Sequence, residues 1–190
     1  MITSFEYVTV LISIVLGLGI TQILTSAAVI IQKYERVTLY WPHLFWVTFI
    51  LFLHIQEWWV IYEVKDFKPW RLPVFLFVML YPINLFVLAK LLFPHKIKGK
   101  KIELKDFYFN NYQKFFGVLI VSALLSVAYN VLILDLKWMD QLLQILLSIS
   151  LSIIVIKKYS QEWLHKLIAI SVVSVMVISI LVEWDVWLIT

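Results

Sequence analysis

The sequence predicts an all-α fold, a polytopic bundle of about six transmembrane helices forming one domain over residues 1–190, with both termini outside. Three observations predict it. Apolar runs almost free of charge recur along the chain at close to the ~20 residues that cross a hydrocarbon core of about 30 Å. The composition is 63% apolar and 15% charged, against roughly 45–50% and about 25% in a soluble domain. Basic residues gather in short segments between the runs, the pattern that insertion into a bilayer imposes.

In chain order the spans are placed at residues 7–31, 44–62, 74–92, 115–134, 139–156 and 167–188. Charge, proline or polar clusters bound each of them. The first begins without a preceding Lys or Arg and without a small-residue cleavage pattern, and reads as a retained span rather than a leader. Pro42 and Pro73 fall at the first turns of the second and third helices, where a missing N–H costs little. Pro82 falls mid-span and predicts a kink. The charge-free cores of the last two helices, 141–156 and 167–182, are 16 residues each, which at 1.5 Å per residue is roughly 24 Å and short of the core. A re-entrant hairpin competes with two full crossings there.

Orientation follows from the 16 basic residues. With six spans and the amino terminus outside, twelve fall on the cytoplasmic side, in the segments around Lys33, Lys90–Lys114 and Lys157–Lys166. Lys65, Lys68, Arg71 and Lys137 remain outside. Eight of the twelve carboxylates fall in the outer half, Glu183 and Asp185 among them, giving an acidic outer face that would concentrate cations. The nine Trp residues fit the same frame, with Trp41, Trp46 and Trp163 at the inner interface and the other six at the outer one. The expected location is the cell's inner, or plasma, membrane.

Residues 93–114 form the only sizeable loop, rich in Lys and followed by Phe107, Tyr108, Phe109 and Tyr112. Lys96, Lys98, Lys100, Lys101 and Lys105 are expected to meet anionic lipid headgroups or a cytoplasmic protein partner. A solvated loop that merely sets topology is the plainer reading. The net charge of +4 is explained by these loops, and nucleic acid is not an expected partner.

Polar residues at mid-depth are where function would reside. His43, His54 and Glu57 fall within about 60° of one another on the second helix, at 100° per residue. His54 and Glu57, three apart, are placed to hydrogen-bond, as a pair that relays protons or senses pH. The alternative is a structural pair locking two helices. Ser13, Gly17, Thr21 and Thr25 recur at steps of four on the first helix, a small-residue stripe for close packing. Leucine at position 17 is expected to disrupt assembly. Gln22 is the sharper candidate there, as lining of a polar path. Asn84 beside Pro82, Asn130 with Ser122, Ser126 and Tyr129, and Gln144 with Gln141, Ser148 and Ser152 form further stripes. Each serves interhelical hydrogen bonding or a shared hydrated cavity.

Cysteine is absent, which excludes disulfides, iron–sulfur clusters and thiolate nucleophiles. No metal or cofactor is expected. Of the four His residues only His54 is placed inside the membrane, so paired axial ligands for haem are missing. One His-x-x-Glu does not make a dimetal site, and no mid-span Lys offers a Schiff base. Phosphate loops, HExxH and GxSxG are absent, which argues against a recognisable enzyme. The expected function is a small channel or transport-type protein for protons or small cations, assembled as a homo-oligomer. Its alternatives are a non-conducting sensor or scaffold subunit, and an intramembrane lipid-modifying enzyme using His54 and Glu57 as acid and base.

Overall fold

The computed structural model describes residues 3–94 and 101–182. Six helices are long and apolar enough to cross a membrane. They are α1 (Ser4–Gln32), α2 (Trp41–Val60), α3 (Leu72–Leu91), α4 (Leu104–Leu132), α5 (Leu142–Lys157) and α6 (Glu162–Val182). Short 3₁₀ turns extend the second span to Val64 and start the fifth at Trp138. Between 17% and 33% of each span's most apolar stretch is buried inside the chain. The remaining apolar faces, with Leu18, Leu76, Leu124 and Ile149 among them, point outward, as acyl chains require and water does not permit over such an area. The chain is an integral membrane helix bundle.

Local chemistry sets the helix ends. The Thr3 hydroxyl accepts from the Glu6 amide at 3.1 Å while the Glu6 carboxylate accepts from the Thr3 amide at 2.7 Å, so two donors at the start of α1 are satisfied reciprocally. Proline stands in the first turn of both α2 and α3, as expected. At the end of α5, Lys158 adopts the left-handed conformation, φ 53° and ψ 38°, and its amide bonds back to the last turn.

Several boundaries differ from the sequence reading. The last two spans each reach 20 residues, about 30 Å, because the 3₁₀ turn at Trp138 and the first turn of α6 at Glu162 lengthen them. By length each of these two helices is thus sufficient to cross a bilayer. The fourth helix starts at Leu104, not at 115, so half of the expected loop is helical. The reason is visible in the pattern Leu104, Tyr108, Tyr112, Phe115, Phe116: these side chains are buried on one face, and burying aromatic surface outweighs solvating the intervening Lys and Asp. Two short strands, β1 (Val37–Thr38) and β2 (Ile102–Glu103), pair in parallel and are the departure from an all-α chain among the described residues.

Within the bundle α2 is central, packing on α1, α3 and α6; α3 bridges α1 and α4, and α5 lies chiefly on α4. The strand pairing, a bond from His43 to the end of α3, and contacts between the starts of α4 and α6 tie one end of the bundle together. Lys33, Arg36, Lys90, Lys101, Lys105, Lys157, Lys158 and Lys166 all belong to segments meeting at that end. At the opposite end Phe5 packs edge-on against Tyr62, and Asn130 bonds Gln141.

Candidate functional site

The second helix carries the polar side chains deepest into the bundle. His43, His54 and Glu57 share its buried face, at 2%, 0% and 7% exposure, as their angular spacing predicts. The expected hydrogen bond between His54 and Glu57 is not formed. His54 Nδ1 instead donates to the carbonyl oxygen of Ile50, one turn back, at 2.7 Å. Because a carbonyl can only accept, the hydrogen of a neutral imidazole resides on Nδ1, and Nε2 is the basic nitrogen. That Nε2 is buried and has no hydrogen-bond partner. It is directed at the backbone of Gly19 on α1, where an added Cβ would lie 2.1 Å away. Gly19 therefore makes the room that the imidazole fills.

Glu57 sits one turn further along, with no hydrogen bond among the described residues. On α4 the Tyr129 hydroxyl is likewise buried without a partner. A buried carboxyl group and a buried imidazole with a bare basic nitrogen thus lie one turn apart on α2. Such groups can accept and pass on protons. Among the described residues no three His, Asp or Glu side chains come together as metal ligands.

Several other predicted residues are occupied in holding helices. Asn84 donates to the Val118 carbonyl at 3.0 Å and to the Ser122 hydroxyl at 2.6 Å, pinning α3 to α4. Asn130 donates to Gln141 at 2.7 Å. Gln22 donates to Ser26 at 2.9 Å and accepts from Lys90, linking α1 to α3. On α5, Ser148 and Ser152 bond back to carbonyls one turn earlier, so that stripe is satisfied within its own helix. Only the Gln144 side-chain oxygen in that stripe is buried and unpartnered.

The small-residue stripe needs correction. Gly17 has nothing within 4 Å of where a Cβ would stand, and Thr21 and Thr25 are exposed. Inside the chain the close approach is made at Gly19, on the face of α1 that also buries Ile12, Leu16 and Ile23. Thr21 and Thr25 face outward while Ser13 and Gly17 are half-buried at the edge of the interior face, which the larger apolar side chains occupy.

A second polar cluster lies at the basic end, where sequence reasoning expected only an interface. His43 and His165 are both buried, at 2% and 0% exposure. His43 Nε2 donates to the Leu92 carbonyl at the end of α3, at 2.6 Å. His165 Nε2 donates to the Tyr159 carbonyl just beyond α5, at 2.9 Å. Each histidine thereby satisfies a carbonyl that the end of a helix leaves open. The Tyr108 hydroxyl donates to His165 Nδ1 at 2.9 Å. Trp46 is 1% exposed and packed edge-on against Phe49, Phe115 and Phe116, so it belongs to the core of the bundle. Tyr108, Tyr112 and Phe116 recur at steps of four, a helical signal that the surrounding lysines obscured.

At the rim of this cluster, outside the spans, burial and then the Glu162 charge push the Tyr40 hydroxyl up to about 12. Glu162 accepts from Lys105 at 2.6 Å and Lys166 at 2.8 Å in exposed ion pairs. Lys101 is exposed. Lys96, Lys98 and Lys100, like Glu183, Asp185, Trp184 and Trp187, lie outside the described residues. No protein-family model matches the chain, and neither does any curated protein or solved structure compared with it.

Proposed function

We propose that this chain is a small transport-type or channel membrane protein that handles protons, with small cations as the other permeant class. The observation that carries the reading is the basic Nε2 of His54, buried and unpartnered one turn from the Glu57 carboxyl group. Burying such groups without partners is costly in hydrocarbon, and a proton that comes and goes is a reason to tolerate that cost. The basic end faces the cytoplasm in this reading, since Lys and Arg are retained there, leaving both termini outside and the plasma membrane as the location. The stripe of Ser13, Gly17, Thr21 and Thr25 is where copies would meet in a homo-oligomer, with membrane lipids around them.

Proton flux into proteoliposomes under an imposed gradient tests the reading. Flux by the natural chain, lost in His54→Ala and in Glu57→Gln, is the expected result. Absence of flux under any gradient or voltage overturns it.

A second reading, a non-conducting sensor or scaffold subunit, is favoured by the bonding of Asn84 and Asn130, which are engaged between helices and line no path. It predicts a cytoplasmic protein captured through Lys96–Lys105 and released when those lysines become glutamate.

A further inference from the structure

At the basic end a cavity of about 10 Å³ is lined by His43 and Trp46 from α2, Leu91 and Leu92 at the end of α3, and Tyr108, Asn111 and Tyr112 among others from α4. That volume is about what one water needs, provided polar partners surround it. They do. With Nε2 committed to Leu92, the Nδ1 of His43 is a pure acceptor, and it is buried without a partner. The indole Nε1 of Trp46 is a pure donor and is also buried; the Tyr108 oxygen lies near it but outside hydrogen-bonding geometry. Both residues are at least nine-tenths buried. An orphan donor and an orphan acceptor lining one water-sized space form a complementary pair, and leaving both unmet costs more than immobilising one water.

We propose that this cavity is an internal binding site for a single water, which accepts from Trp46 Nε1–H and donates to His43 Nδ1. Its second hydrogen has acceptors on residues of the same lining, the Tyr108 oxygen and the Asn111 side-chain oxygen; one of the two Asn111 amide N–H groups donates to the Phe107 carbonyl at 2.9 Å. Through Tyr108, which donates to His165, the water joins His43 on α2 to His165 on α6. The two carbonyls at the ends of α3 and α5 then terminate one hydrogen-bonded network crossing the basic end. The site stands independently of proton transport through His54.

The test uses the full chain in lipid bilayers with ¹⁵N-labelled His and Trp, and magic-angle-spinning NMR in which polarisation starts on water. Transfer to both His43 Nδ1 and Trp46 Nε1–H, with none to His54 Nε2 against Gly19, is the expected result. Transfer to neither nitrogen, or to one alone, overturns the bridge. In Trp46→Phe the transfer to His43 should fall to the level seen at His54, and undiminished transfer there also overturns it. Should that variant not fold, the measurement on the natural chain decides by itself.

Discussion

The imidazole Nε2 of His54 abuts the backbone of Gly19, so that a methyl group added to Gly19 would stand 2.1 Å from it. Gly19→Ala is therefore expected to cost about 1–3 kcal/mol through overpacking, read as a lower unfolding midpoint in detergent. The cost should shrink in the Gly19→Ala/His54→Ala double variant, since the two side chains compete for one space. Equal costs with and without the imidazole would show that the contact is not what constrains position 19.

Two residues away the expectation reverses. Gly17 meets nothing within 4 Å, and Gly17→Ala should leave the fold of the single chain intact or raise its stability by up to about 1 kcal/mol through helix propensity. Gly17→Leu should still abolish association between chains, seen as a change from oligomer to monomer by light scattering. A fold lost in Gly17→Ala would contradict the open space around it.

Asn84 and Ser122 form a bridge between α3 and α4 at 2.6 Å. A double-mutant cycle of Asn84→Ala and Ser122→Ala should give a coupling near ~0.6 kcal/mol and no more than ~1.7, the range of hydrogen bonds between membrane helices. Zero coupling would leave the second bond of Asn84, to the Val118 carbonyl, as its whole role.

Tyr40 links stability to alkaline pH. Its folded-state value of about 12 lies above the 10.0 of a free tyrosine, so its neutral form is favoured by folding. The stability that it contributes is whole below pH 10 and drains away as pH climbs through 12. Tyr40→Phe should lessen that alkaline loss. At neutral pH the variant should match or exceed the natural chain, because the hydroxyl it removes is buried without a partner. Thermal unfolding at pH 7 and pH 11 measures both arms.

Lys158 holds a left-handed conformation at the end of α5, where a side chain costs roughly 1–2 kcal/mol and glycine does not. Lys158→Gly is expected to raise stability by about 1 kcal/mol. A loss instead would show that the lysine side chain contributes more than its backbone costs.

The six spans could be read from the chain because burial in lipid demands long apolar runs whatever the neighbours are. His54 and Glu57 were legible for the same reason, as rare polar residues at depth. Residues 104–114 were not. Their Tyr and Phe spacing is helical, yet Lys105, Asp106 and Lys114 between them suit an exposed loop equally well, and only packing against α2 and α6 selects the helix. The burial of Trp46 and His165 within the bundle is equally hidden, because position along a span does not say which side of the helix meets its neighbours.

By itself the sequence determined that the chain suits a membrane, how many of its helices are apolar enough to cross one, and where along the chain the charges gather, since transfer free energy acts on each residue independently. Tertiary structure alone decided the partners of the polar groups. A hydrogen bond or an orphan nitrogen depends on the rotation and approach of two helices, quantities that no single helix encodes. Hence His54 turns to Ile50 and Gly19 rather than to Glu57, and His43, Trp46, Tyr108 and His165 meet at one end.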